Sequence, residues 1–403
     1  MLSSRRRVLG IVATAELLAM SLWFSATAAA PELAGEWGLT ASETAWLTIA
    51  VQVGFVVGAF VSSALTLSDV VPPRHLFAGS AIAGAVCTAA IAAAVDGAAP
   101  AIALRFLTGV ALAGVYPPGM KILAGWFEEG RGFAIGILVG SLTIGSALPH
   151  LIRALGGVGR PRVVLYGAAG LATLGGLLVL TVRPGPYQAE AAPFDPSAIG
   201  RILRDRGTML ANNGYFGHMW ELYAVWTWIP AYLTASIAAN GGSADPTRVA
   251  SVLAFATIAI GGVGAVVAGS AADRLGRTSV TSASMLLSGV ACVAAGVFFG
   301  SSTVLLAVFV LGWGFVVVAD SAQFSTAVSE LAEDSYVGTA LTLQTAIGFL
   351  LTTISIQLIP MVAEVVGWQW AFAPLAIGPA LGTISMLHLR RLPEASKLAG
   401  GRK

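Results

Sequence analysis

Apolar runs long enough to cross a lipid bilayer follow one another along almost the whole chain. No single motif constrains the fold as strongly. A helix needs roughly 20 residues to span about 30 Å of hydrocarbon. By that measure twelve segments qualify: 8–30, 44–67, 75–95, 100–124, 132–154, 161–182, 208–236, 247–271, 278–299, 302–326, 336–362 and 367–389. Composition agrees, with 56% hydrophobic and 10% charged residues, where a soluble domain carries about 25% charged. The 48 glycines suit helices packed closely in lipid. The expected fold is an all-α, polytopic membrane protein. A net charge of +2, with the basic residues mainly at segment ends, speaks against a nucleic-acid partner.

The basic stretch 1–7 precedes an apolar run from Val8, in the outline of a signal peptide. Glu16 interrupts that run, and the segment reads instead as a retained first helix. The longest polar connection, 183–207, is rich in Pro and Arg and divides the segments six and six. The expected domains are an N-terminal six-helix bundle at 1–183, a cytoplasmic linker at 184–207 and a C-terminal bundle at 208–403. With both termini in the cytoplasm, 17 of the 22 Lys and Arg fall on the inner side, among them Arg74, Lys121, Arg274 and Arg390. A multi-pass protein of the inner or plasma membrane follows. Arg153, Arg160 and Arg162 cluster on the outer side against this rule, and an anion-attracting mouth is one reading of them.

The two halves are copies. Glu16-Leu17-x-Ala19-x-x-x-Trp23 returns as Glu221-Leu222-x-Ala224-x-x-x-Trp228, 205 positions on. Cys87 and Cys292 keep that offset, Asp69 and Asp273 differ by 204, and Gly132 and Gly338 by 206. A six-helix unit duplicated in parallel gives two pseudo-symmetric bundles, with a substrate site expected near the midplane of their interface. The cysteines themselves read as small buried hydrophobes.

The stretch Gly269-Ser-Ala-Ala-Asp273-Arg274-Leu-Gly276-Arg277, placed in the loop after the eighth segment, resembles the G-x-x-x-D-R-x-G-R signature of the major facilitator superfamily. The twelve-helix count, the central loop and the duplication agree with that family over nearly the whole chain. The resemblance implies a conformational latch of Gly269, Asp273, Arg274, Gly276 and Arg277. In it Asp273 would accept from an adjacent helix N-terminus, and the arginines would pair with acids of neighbouring loops. The first-half copy, Leu65-Thr-Leu-Ser-Asp69-Val-Val-Pro72-Pro73-Arg74, keeps the acid Asp69 but not the initial glycine or the adjacent arginine. Arg105-Phe-Leu-Thr-Gly109, followed by Gly114-x-Tyr116-Pro117, resembles the family's fourth-helix pattern with its intramembrane arginine. The fifth segment has Gly136, Gly140, Gly145 and Pro149 but lacks the Gly-Pro dipeptide of proton-driven exporters, so no subfamily is assigned.

An ionisable group deep in a spanning helix costs at least about 2.5 kcal/mol and faces a cavity or a partner. At 1.5 Å per residue Glu16 lies about 13 Å into its helix and Glu221 about 20 Å into its own. First helices of each half line the central cavity in the superfamily, so the resemblance implies that the two carboxylates face one another across the substrate path. There they would carry protons, or bind a cationic group of the substrate. His218, three residues before Glu221, shares its helix face and either shuttles protons or serves as a structural histidine. Asp320 is expected at the cavity or the cytoplasmic gate. Trp23 and Trp228 stand two turns beyond each glutamate and are expected to line the cavity, with Tyr215, Asn213 and Gln344. Arg105 is a further lining candidate, meeting an outer acid or a substrate anion, and Lys121 snorkels to headgroups. Trp37, Trp126, Trp368 and Trp370 read as interfacial anchors.

No nucleotide-binding loop occurs, and no second His or Cys stands at ligand spacing near His218. No cofactor, no metal and no enzymatic constellation is expected. The leading reading is a secondary active transporter, a monomer in the bilayer, that moves a small organic cation, neutral or drug-like compound by alternating access with protons as coupling ion. Nitrate and nitrite porters of the superfamily hold their anion with arginines in the second and eighth helices. Segments 44–67 and 247–271 carry none inside the span, Arg248 standing at the very edge. Arg105, Lys121 and Arg153 keep a small organic anion as an alternative. A reading of another class, a non-transporting sensor on the same fold, would want a long soluble tail or regulatory loop.

Overall fold

The computed structural model describes residues 2–65, 67–127, 131–187, 197, 199–241, 245–333 and 336–402. Much of the expected linker 184–207, and the side chain of Asp69, lie outside the described residues. Among the described residues there is no strand, and 11 helices are long and apolar enough to cross a membrane. Such helices satisfy every backbone group within the segment, which lipid cannot do. The chain divides into two compact units, Met1–Ala191 and Ala192–Lys403.

The first unit holds α1 (Leu2–Ala19), a 3-10 turn (Met20–Leu22), α2 (Ser25–Trp37), α3 (Ala41–Ala64), α4 (Pro73–Ala94), α5 (Ala98–Leu112), α6 (Tyr116–Trp126), α7 (Arg131–Ile152) and α8 (Pro161–Val179). The second holds α9 (Arg206–Asn240), α10 (Pro246–Leu275), α11 (Arg277–Phe298), α12 (Thr303–Ala319), α13 (Ser321–Leu331), α14 (Val337–Val366) and α15 (Ile377–Arg390).

Three segments expected as single helices are interrupted. The first breaks at Phe24, where φ is −103° and ψ 18°. The fourth breaks between α5 and α6, because Pro117 and Pro118 fit only the first turn of a helix, where a missing N–H costs nothing. The tenth breaks at Asp320, between α12 and α13. Val115 and Asp320 lie 205 positions apart, so the fourth span of each half is interrupted at the same repeat position. The expected twelfth helix, 367–389, is shorter: Gly367 ends α14 at φ +77°, and α15 starts only at Ile377 after a 3-10 turn. The latch motif is not a loop. α10 runs on to Leu275, and only Gly276, at φ +91°, breaks the chain before α11.

Backbone contact between the second and fourth spans recurs in both units. A Cβ on Gly109 of α5 would stand 2.0 Å from Val51 O of α3, and one on Gly314 of α12 would stand 2.0 Å from Thr257 O of α10. Gly109 and Gly314 keep the 205-residue offset. Without a hydrophobic drive between helices in lipid, such close approach supplies the dispersion energy of packing.

Candidate functional site

In the first unit Glu16 is wholly buried, and among the described residues neither carboxyl oxygen has a hydrogen-bond partner. The side chain points at α6, where a Cβ on Gly119 would come within 3.0 Å of Oε2; Phe77 and Leu138 border the same spot. Trp23 is buried with its ring 5.2 Å from that of Phe55.

Arg105 of α5 reaches the break in the first span. Its Nε donates to Leu47 O at 3.0 Å, and Nη1 donates to Leu22 O at 2.9 Å and Ser25 Oγ at 3.1 Å. Nη2 donates to Trp23 O. The break exposes carbonyls that a continuous helix would satisfy, and the guanidinium takes them up. The side chain that sequence reasoning matched to an acid or an anion is thus bonded to main-chain carbonyls and a hydroxyl. The outer cluster also resolves in part. Arg153 donates to Glu32 Oε1 through Nη2 at 2.8 Å and Nε at 3.2 Å, and Gly159 N–H joins the same oxygen at 3.2 Å. Arg160 and Arg162 are exposed.

In the second unit Glu221 is buried, but it is partnered. Its Oε1 accepts from Ser288 Oγ at 2.5 Å, Trp313 Nε1 at 3.0 Å and Cys292 Sγ at 3.1 Å. Cys292 is therefore more than the small apolar filler it resembles in the sequence. Ser288 and Cys292 stand one turn apart on α11, so both reach the same carboxyl. Among the three donors only Cys292 carried a sequence signal, its recurrence with Cys87, and nothing local marked Ser288 or Trp313.

One turn before Glu221, His218 Nδ1 lies 2.9 Å from Asp320 Oδ1, and both side chains are buried. Tyr215 and Phe324 flank the imidazole, with ring centroids 6.2 and 5.7 Å away. The structure brings Glu221, His218, Asp320 and Tyr215 together in one buried patch. Gln344 is engaged by its neighbours: Nε2 donates to Asn212 Oδ1 at 3.0 Å, and Oε1 accepts from Ser325 Oγ at 3.2 Å. Asn213, the expected neighbour, is exposed. Trp228 Nε1 donates to Ile356 O at 2.8 Å, and its ring lies 5.9 Å from Trp368.

The latch residues have partners of their own. Arg277 forms a two-point contact with Glu330, Nε to Oε2 and Nη2 to Oε1, both at 2.7 Å. Its Nη1 donates to Gln323 Oε1 at 2.8 Å and lies 3.5 Å from Asp273 Oδ1. The acid partner expected for an arginine of this motif is thus Glu330. The Asp273 carboxylate is exposed, and among the described residues no backbone N–H donates to it.

The sequence matches a family model described as Major Facilitator Superfamily over residues 12–241 and again over 211–403. In structure the chain is similar to a point mutant of the nucleoside transporter NupG, at 14% identity and TM-score 0.70, covering 95% of this chain and 99% of that one. It is also similar to the xylose transporter XylE from E. coli in a partially occluded inward-open conformation. There the identity is 14% and the TM-score 0.74, over 96% of this chain and 98% of that one. Both likenesses are of fold. A search of curated proteins finds no match.

Proposed function

The chain belongs to the major facilitator superfamily, and we propose that it couples protons to the movement of a small organic cation, neutral or drug-like compound. As a member of that family it is a multi-pass membrane protein and a secondary carrier of small molecules, not an enzyme. Glu16, Glu221, His218 and Asp320 are the groups we assign to coupling or cargo binding.

The observation that carries the proposal is the state of the buried charges. Among the described residues both oxygens of Glu16 lack a hydrogen-bond partner, and Phe77 and Leu138 border the site. An isolated carboxylate there is too costly to persist, so the group holds a proton or meets a donor from the cargo. The buried arginines, by contrast, are engaged: Arg105 by carbonyls and Arg153 by Glu32. That arrangement favours a cationic or hydrogen-bond-donating cargo over an anion. The solved structures similar in fold belong to xylose and nucleoside transporters, and at 14% identity they do not choose among solutes. The excess of basic residues on one side supports cytoplasmic termini in an inner or plasma membrane.

A thermal-shift screen of small solutes identifies the cargo. Uptake into proteoliposomes with an imposed pH gradient then tests coupling. Wild-type rates that ignore the gradient overturn proton coupling. Full coupled transport by Glu16→Gln overturns the assignment of that residue.

A further inference from the structure

In each unit the chain leaves its last helix and turns back across the end of the fourth span. In the first unit Val182 O accepts from Arg74 Nη1 at 3.1 Å, Arg183 O accepts from Trp126 Nε1 at 2.9 Å, and Tyr187 N–H donates to Gly125 O at 2.9 Å. In the second unit residues 393–402 follow α15. Ala399 N–H donates to Glu330 Oε2 at 3.0 Å, and Arg402 Nη1 donates to Asp273 O at 2.5 Å. Ala395 and Leu398 are fully buried, and a Cβ on Gly207, at the start of α9, would lie 3.3 Å from Glu394 Cβ.

Gly125 and Glu330 are 205 positions apart. The returning segment is therefore received at the same repeat position in both halves, although its sequence is not repeated. Arg74 and Ser279 keep the offset too: Arg74 donates to Val182 O, and Ser279 Oγ accepts from Arg390. What differs is the acceptor. In the first unit it is a main-chain carbonyl, which cannot move without its helix. In the second it is a side-chain carboxylate, and the same Oε2 accepts from Arg277 Nε.

We propose that residues 393–402 form a releasable strap that governs the Arg277–Glu330 clamp. The proposal rests on reading Gly269 to Arg277 as a latch. With the strap seated, Glu330 is held from two sides and fixes Arg277 across α10, α11 and α13. With the strap lifted, Oε2 loses its main-chain donor and Asp273 O loses Arg402. The strap's turn is a strained one: Ala399 sits at φ +48°, the one positive φ of a non-glycine residue among the described residues, followed by Gly400 and Gly401 at +65° and +92°. Such a backbone is held by its contacts rather than by its own preference, as a segment that detaches as a unit requires.

Hydrogen–deuterium exchange on the full-length protein tests this without any cargo. Ala399→Pro removes the donor and cannot adopt a positive φ. Exchange over 273–281 and 321–331 is expected to rise about tenfold, the loss of one hydrogen bond to a charged group. Ala399→Gly keeps the N–H and suits the left-handed backbone, so its rates are expected to match wild type. Arg277→Gln, which breaks the clamp directly, is expected to loosen the same segments, and adding Ala399→Pro to it brings no further rise. If Arg277→Gln loosens them and Ala399→Pro does not, the strap is refuted and the clamp stands. If neither does, the latch reading fails first. Loosening by Ala399→Gly equal to that by Ala399→Pro, or strictly additive effects in the double variant, also overturns the proposal.

Discussion

Replacing Arg105 by Met tests whether a buried guanidinium holds the first span in its broken form. The wild-type side chain bonds Leu47 O, Leu22 O, Ser25 Oγ and Trp23 O. These are not equal losses. Leu22 O keeps the Ser25 hydroxyl, which donates to it at 2.9 Å, and Leu47 O lies within α3 and keeps its helical partner. Trp23 O, at the break, loses the Nη2 donor. Removing a charged donor from a buried carbonyl costs about 1–3 kcal/mol. Relief from burying a charge works in the opposite direction, and the charge here faces neutral dipoles rather than an acid. The variant therefore strands no counter-charge, which would raise the cost to about 3–5 kcal/mol. A net loss of about 2–3 kcal/mol is expected, including imperfect filling by Met. In a unit of this size that lowers the melting midpoint by about 4–12 °C, read by scanning fluorimetry in detergent. Arg105→Lys, a point charge without the planar fork, recovers only part of it. The reverse experiment uses Val310, which is fully buried and stands 205 positions on from Arg105. There α9 continues unbroken from Arg206 to Asn240, so Val310→Arg finds no comparable break in α9 and destabilises more than Arg105→Met. A midpoint for Arg105→Met within measurement error of wild type, or full rescue by Lys, would refute the reasoning.

Other substitutions separate packing from chemistry. Glu221→Gln keeps an acceptor oxygen for Ser288, Cys292 and Trp313 and is expected to melt within a few degrees of wild type. Glu221→Leu orphans those donors and is expected to lose about 2–4 kcal/mol, seen in the same melting assay. Glu16→Gln removes an acid that has no hydrogen-bond partner among the described residues, so stability is unchanged or higher while gradient-driven uptake disappears. Gly109→Ala and Gly314→Ala each press a methyl onto a backbone oxygen 2.0 Å away, and both are expected to cost more than about 2 kcal/mol and to reduce monodisperse yield on size-exclusion chromatography.

Much of this protein is legible in one dimension. Hydropathy is a local property, so the spans and their division into two sets can be counted without knowing what packs on what. The duplication is equally visible, and it marks Glu16 with Glu221 before any geometry is known. The places where the sequence misleads share one cause: the deciding partner comes from another helix. The first span reads as continuous because the group that sustains its break, Arg105, is 80 or more positions away. Cys292 reads as filler because the carboxyl it serves is on α9. Glu330 carries no motif, yet it receives both Arg277 and the returning chain. The two glutamates match in sequence and differ in surroundings. One has three donors and the other has none among the described residues. Position along the chain determines which acid enters the membrane. Only the packing of neighbouring helices determines whether that acid is satisfied there, because in lipid no water is present to make up the difference.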